Sequence, residues 1–300
     1  MKPRRARTSR PIEVDRKLLV AWTLPLPNSD GDKEDRGRLL IVAGSADVPG
    51  AAILAANAAL RAGVGKLTIA TEETVAVAQS VPEARVLRFA RKGRGKQRSA
   101  RHVRDAFDAI LVGPGLQASA AVARCARAAL SAHPAATVVL DAGALTAEVT
   151  DAIPSPRTHG AVRCILTPHA GEMASLLGIT KQAVEASPEA TALDFAARHD
   201  VALVLKGATT WIAMRGRLWR HAASNVGLAA SGSGDALAGI IAALAARGAP
   251  AEQAAAWGVA LHALAGARLV QRHGALGILA REIPHEIPGI MNALSRRTAA

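Results

Sequence analysis

The 300-residue chain has no tyrosine, three phenylalanines and four tryptophans, so aromatic side chains make up only 2 % of it. So few rings exclude a stacking platform for single-stranded nucleic acid. They also leave Ala, Val, Leu and Ile to fill the interior, and such small side chains favour helices layered tightly on a sheet. Cysteine is scarce: Cys125 and Cys164, 39 positions apart, match no metal-ligand spacing and read as buried reduced thiols of a cytoplasmic protein. Long apolar runs are missing too. The longest, Ala236 to Ala246, has eleven residues counting Gly239, whereas a membrane span needs about twenty. The basic start, Met1 to Arg7, is followed by no apolar stretch, so no signal peptide is expected.

Acidic residues are in deficit, with 24 Asp and Glu against 37 Lys and Arg, a net charge of +13. The excess is local. Residues 85–104 carry nine basic residues and no acid, and residues 1–10 carry five more, which leaves the rest nearly neutral. Two readings stay open for these tracts: a solvated surface, or a patch that attracts a phosphate-bearing ligand or anionic partner. Nucleic acid is a poor fit for a body that is itself uncharged. Hydrophobic residues make up 50 % and charged residues 20 %, which rules out a disordered chain and allows a sizeable core.

Residues 1–37 are polar and charged, and are expected to form a loosely ordered basic extension. Residues 38–300 show no linker and are expected to form one domain. Short apolar runs at 38–43, 66–70, 109–112, 137–140, 164–167 and 202–205 read as buried strands. Runs at 209–213 and 217–221 read as a hairpin around Arg215 and Gly216. Helices are expected at 50–62, 119–131, 234–247, 251–272 and 279–294. Alternating strands and helices imply an α/β fold with a mostly parallel sheet covered on both faces. Ligands bind such sheets beyond the carboxyl ends of the strands, where Gly44, Gly113, Asp141, Pro168 and Lys206 fall.

Three segments carry chemistry. In Gly232-Ser-Gly-Asp235 a glycine turn opens an apolar helix. Gly232, Ser233 and Gly234 bring backbone N–H groups to the helix N-terminus, an anion hole. Asp235 beside it suits a base acting on the group that receives a phosphoryl; the alternative is that it caps the helix. In Lys206-Gly-Ala-Thr-Thr210 an ammonium and two hydroxyls at a strand end suit a nucleotide phosphate, or simply begin a basic hairpin. In Thr167-Pro-His-Ala-Gly-Glu-Met173, His169 and Glu172 share a helix-start face. They suit a ligand contact and a hydrated Mg²⁺, or plain capping. The turns Gly113-Pro-Gly115 and Gly63-Val-Gly-Lys66 fail as a dinucleotide fingerprint and a Walker A loop respectively.

Taken with Pro49-Gly-Ala-Ala52, Gly113-Pro-Gly-Leu116 and Asp141-Ala-Gly-Ala-Leu145, these segments resemble the ADP-dependent NAD(P)H-hydrate dehydratases of the ribokinase-like superfamily, over about residues 38 to 295. The resemblance implies a three-layer ribokinase-like fold and a stand-alone form without an epimerase domain. The implied reaction is metabolite repair. Hydrated NADH or NADPH, in its S form, is phosphorylated on the ring hydroxyl by ADP, with ATP as an alternative donor, and then loses phosphate to regenerate NAD(P)H. It further implies that Ala51, Gly115, His169 and Asp235 contact the substrate. Lys206, Gly207, Ala208, Thr209, Thr210 and Gly234 would contact the nucleotide, Asp235 would be the base, and Glu172 would meet Mg²⁺ through water. A cytoplasmic homotetramer is the implied assembly. Gly143 and Gln117 depart from the family's usual Asp and Gly. The competing reading is a ribokinase-like kinase of a vitamin precursor such as hydroxymethylpyrimidine, hydroxyethylthiazole or pyridoxal, which would release a phosphorylated product. A basic nucleic-acid binder without catalysis is a third.

Overall fold

The computed structural model describes residues 10–26, 30, 32–89, 106–154, 163–222 and 226–295. Ten strands among them form one sheet. In chain order they are β1 (Ile12–Glu13), β2 (Arg38–Val42), β3 (Lys66–Thr71), β4 (Arg85–Arg88), β5 (Ala109–Val112), β6 (Thr137–Leu140), β7 (Cys164–Leu166), β8 (Ala202–Leu205), β9 (Thr209–Met214) and β10 (Arg217–Ala222). Their spatial order is β1-β10-β9-β8-β7-β6-β5-β2-β3-β4. Neighbours run parallel except β9, which is antiparallel to both β8 and β10.

One face of the sheet carries α1 (Arg16–Ala21), α2 (Gly50–Arg61), α3 (Thr74–Ser80), α9 (Ser233–Ala246), α10 (Ala251–His273) and α11 (Ile283–Ser295). The other carries α4 (Ala120–Ala132), α5 (Ala147–Thr150), α6 (Ala170–Leu177), α7 (Lys181–Ala186) and α8 (Pro188–His199). Side chains alternate between the two layers. Leu39 and Ile41 of β2 enter the first core, and Leu40 and Val42 the second. Both faces are covered, so the central strands are apolar throughout rather than alternating with polar residues. The expected strands at 109–112, 137–140 and 202–205 are found at those bounds, and the hairpin is present.

The alanine content decides the packing of the first layer. α2 buries six alanines. Across from it, a Cβ placed on Gly239 of α9 would lie 2.2 Å from the carbonyl oxygen of Ala55. The two helices approach backbone to backbone, and only glycine fits there. Cys125 on α4 and Cys164 on β7 are free and buried. Burial pushes the Cys125 thiol up to about 12 and raises Cys164 as well. Among the described residues no helix is long and apolar enough to cross a membrane.

The N-terminal expectation needs correction. Ile12 pairs with Trp219 at the sheet edge, and Asp15 caps α1 by accepting from the Leu18 amide at 2.8 Å. Leu19 is 1 % exposed within the first core. Trp22 stacks on Trp219 with ring centroids 6.3 Å apart, and its carbonyl accepts from Trp257 Nε1 at 2.7 Å. A strand of two residues and a helix of six carry too little periodicity to stand out in a polar segment. Of the two basic tracts, residues 1–9 and 90–105 lie outside the described residues, while Arg85 and Arg88 sit on the edge strand β4.

Replacing Leu19 with Ala is therefore expected to lower the unfolding free energy by about 2–5 kcal/mol, the usual range for emptying a buried leucine site. Urea unfolding would check this. A change inside the roughly ±0.5 kcal/mol typical of surface positions would return the segment to a loose extension.

Candidate active site

Three adjacent strand ends meet at one charge cluster. Lys206 follows β8, Asp141 follows β6 and Thr167 follows β7. The Lys206 ammonium lies 3.0 Å from Asp141 Oδ1, and the same oxygen accepts from the Thr167 hydroxyl at 2.6 Å. Glu172 Oε2 is 3.8 Å from the ammonium. Burial acts to lower the Lys206 pKa, but Asp141, Glu172 and Asp235 outweigh it and hold the pKa above its ordinary value. Lys206 thus stays charged in a half-enclosed site.

The N-terminus of α9 faces this ammonium. Gly232 precedes the helix with φ +85°, a left-handed conformation, and no side chain caps the helix. A Cβ there would also lie 2.3 Å from Leu54 Cδ1 of α2. The Ser233 amide already donates to the Ala230 carbonyl at 3.1 Å, and the Ala236 amide to Gly232 at 3.2 Å. Among the described residues, the amides of Gly232, Gly234 and Asp235 in this turn are left without an acceptor. Of the expected anion hole, the amides of Gly232 and Gly234 are thus open, while that of Ser233 is engaged. The Lys206 ammonium completes the hole, 3.6 Å from where a Gly234 Cβ would stand.

Asp235 occupies the third position of α9 and does not act as its cap. Burial pushes its carboxyl up to about 7; Asp141 raises it further, Lys206 opposes, and Glu172 adds a smaller upward push. A carboxylate tuned to that range can take a proton near neutrality.

His169 is both a cap and an exposed ring. Its Nδ1 accepts from the amides of Gly171 and Glu172 at 3.0 and 3.2 Å, and Glu172 Oε2 accepts from the His169 amide at 2.8 Å. With Nδ1 accepting, the proton of the neutral ring belongs on Nε2, which lies 3.6 Å from Glu172 Oε2. The side chain is 58 % exposed.

A cavity of about 630 Å³ joins these parts. It is lined by His169, Lys206, Gly207, Ala208, Thr210 and Gly234, and walled by Leu228, Leu237 and Val259. Most of the expected nucleotide residues are thus together beside an apolar wall suited to a flat base. Thr209 is not: it lines a neighbouring cavity of about 570 Å³ with Trp211 and Lys181, because successive residues of a strand face opposite ways. Ala51 and Gly115 meet at the start of α2, where a Cβ on Gly115 would lie 2.4 Å from that of Ala51. Leu54, one turn further along α2, touches the Gly232 turn, so the substrate group adjoins the anion hole. Gly143 admits no side chain here, since a Cβ would stand 2.2 Å from the Leu116 carbonyl.

Two residues of this cluster and cavity were not among the site residues read from the sequence. Asp141 stood in the row of strand ends, and a carboxylate closing a wholly apolar strand was signal enough to include it. His262 lies in the apolar stretch of α10 and gave no signal beyond that of an ordinary core histidine.

The profile of the NAD(P)H-hydrate dehydratase family matches residues 39–289. The chain is 47 % identical over 279 residues to the ADP-dependent (S)-NAD(P)H-hydrate dehydratase of Xanthomonas campestris pv. campestris, covering 91 % of this chain and 94 % of that relative. A ribokinase-like superfamily protein from Enterococcus faecalis superposes with a TM-score of 0.82 at 25 % identity, covering 95 % of this chain and 96 % of that one. The ADP/ATP-dependent NAD(P)H-hydrate dehydratase of Bacillus subtilis, co-crystallised with ATP and Mg²⁺, superposes with a TM-score of 0.81 at 32 % identity, covering 95 % and 99 %. With a ribokinase-like fold and matches along nearly its whole length, the chain belongs to the NAD(P)H-hydrate dehydratase family.

Proposed function

We propose that the chain repairs hydrated NADH and NADPH, dehydrating the S form at the expense of ADP to give NAD(P)H, AMP and phosphate. The observation that carries this is a base poised near neutrality beside an anion hole. Asp235, Lys206 and the free amides of Gly232, Gly234 and Asp235 lie together at the start of α9. The β-phosphoryl of ADP would rest on those amides and the Lys206 ammonium. Asp235 would take the proton of the ring hydroxyl as that oxygen attacks phosphorus, and AMP would leave. The ring phosphate would then depart as inorganic phosphate while the ring loses a proton, restoring the double bond. The amides and the ammonium act where charge develops on the transferring group. ATP would serve in the same way, leaving ADP.

A divalent ion fits only loosely. Among the described residues no group of three or more His, Cys, Asp or Glu forms a cage, and Glu172 already accepts from the His169 amide and faces Lys206. Glu172 would hold a hydrated Mg²⁺ through water, with the nucleotide phosphates supplying the rest, as this ion commonly binds. When bound it would neutralise phosphate charge. We further propose a cytoplasmic tetramer, for which the free buried cysteines and the family resemblance are the support; gel filtration tests the assembly.

The decisive assay supplies hydrated NADH, ADP and Mg²⁺ to the purified chain and follows the absorbance of the reduced nicotinamide. A rising band with AMP and phosphate in equal amounts is expected. No rise here, together with a stable phosphorylated product when hydroxymethylpyrimidine, hydroxyethylthiazole or pyridoxal is supplied with the nucleotide, would point to the vitamin-precursor kinase instead.

Asp235→Asn keeps the shape but cannot accept a proton, so turnover should fall on the order of 10²–10⁴-fold with ADP affinity little changed. Normal turnover would remove Asp235 from the base role. In the wild type, kcat/KM should fall about tenfold per pH unit below about 7, because protonation of a base with a raised pKa removes the active form. A kcat/KM that does not vary with pH across this range would contradict that assignment.

Gly234→Val probes the anion hole. A Cβ at this position meets only the Lys206 ammonium, at 3.6 Å, beyond its own helix turn. Folding should change by less than about 1 kcal/mol, a helix-propensity effect. The methyls would instead fill the space in front of Lys206, and losing such a donor site typically costs about 10²–10³-fold in kcat. AMP affinity should weaken in parallel. Unchanged turnover and AMP binding in a folded variant would take this turn out of the active site.

A further inference from the structure

His262 projects from α10 beneath the first turn of α9. It is buried, 9 % exposed, and lines the same 630 Å³ cavity as Ser233, Gly234 and Lys206. Its Nε2 lies 2.8 Å from the Ser233 hydroxyl oxygen and 3.0 Å from the Ser233 carbonyl oxygen. A carbonyl oxygen cannot donate. The contact is attractive only if Nε2 carries a proton and shares it between the two oxygens. The Ser233 hydroxyl then acts as acceptor toward His262, so its own proton must point elsewhere. The side of Ser233 open to it is the cavity. The Ser233 amide is engaged by Ala230, so the hydroxyl is the donor this residue has left to offer. Burial keeps the imidazole neutral, its pKa lowered to about 4.

We propose that His262 is a positioning residue: through Nε2–H it orients the Ser233 hydroxyl as a further donor to the phosphoryl group seated at the N-terminus of α9. The inference rests on the nucleotide reading given above. His262 touches no substrate in this arrangement and acts wholly through Ser233. The pair adds to the hole a donor that the backbone of residue 233 does not provide. A hydroxyl anchored from behind also loses little rotational freedom when the phosphoryl arrives.

The test compares Ser233→Ala, His262→Leu, His262→Gln and the double variant Ser233→Ala/His262→Leu in kcat and KM for ADP, with thermal unfolding of each. Ser233→Ala should lower kcat/KM for ADP on the order of 10- to 100-fold, as for a hydrogen bond to a charged group. His262→Leu should lose a similar factor, and the double variant no more than either single one. His262→Gln places an N–H donor within reach of the same oxygens and should recover most of the loss. A merely structural histidine predicts a different set: the loss would follow melting temperature, add to that of Ser233→Ala, and be no smaller with Gln. Additive losses, a Gln variant no better than Leu, or a Leu variant at wild-type kcat/KM would each overturn the proposal. Calorimetry of the wild-type chain with ADP keeps the two levels apart. Binding and turnover with an indifferent His262 defeat this inference alone, while absence of ADP binding defeats the functional reading and this inference with it.

Discussion

An ammonium and a carboxylate, 3.0 Å apart and both largely withdrawn from water, join the carboxyl ends of β6 and β8. Either charge alone would be costly to bury, by several kcal/mol. Together they persist because the Thr167 hydroxyl donates to the same Asp141 oxygen and Glu172 stands behind the ammonium. Breaking the pair would strand a charge in the interior, so the strand register is not free to drift. Leu140, Leu166 and Leu203 align across β6, β7 and β8, which sets Asp141 level with Thr167 and, two residues on, His169 level with Lys206 along one line of strand ends. The rest of the site is arranged around that line: the His169 turn follows β7, and the Gly232 turn closes over the ammonium.

What holds the Gly232 turn in place is the smallness of the residues beneath it. α9 settles on α2 because Gly239 lets its backbone reach Ala55. The helix N-terminus is thereby fixed relative to α2, whose own first turn carries Ala51 against Gly115. A core of large aromatic residues would separate these helices and pull the substrate group away from the anion hole. The near absence of aromatics and the geometry of the site thus have one cause. Close packing transmits position with little slack.

The central strands were legible because burial on both faces demands an unbroken apolar run, and a short run closed by Gly113, Asp141 or Lys206 suits a covered strand better than a helix or a solvated edge. The glycine turn that opens α9 was legible because glycine pairs before an apolar helix serve a recognisable physical need. The segment at 12–22 was hidden: its strand takes its stability from β10 and its helix from the first core, and neither dependence is visible in its own residues. The side taken by Thr209 was hidden for a simpler reason, since a run of Lys-Gly-Ala-Thr-Thr says nothing about which hydroxyl faces which cavity until the strand is built. His262 shows the opposite limit. Its partner lies 29 positions away, and only the crossing of α9 and α10 brings the two together.

The position of Asp235, the proposed base, poses a conflict that the geometry resolves. A helix N-terminus and a lysine both favour the charged form of a carboxylate, and the same positive potential is what a phosphoryl group requires. Left to these, Asp235 would be a weak base. Burial and the Asp141 carboxylate act the other way and prevail, and the acid ends near 7 rather than 3.8. A carboxylate so tuned holds a proton roughly 4 kcal/mol more firmly than an ordinary one, a useful gain when the proton comes from an alcohol. Asp141 contributes twice. Its charge disfavours ionisation of Asp235, and by pairing with Lys206 it draws the ammonium toward itself. One buried carboxylate thereby lets a positive site for phosphate and an effective base occupy the same helix turn.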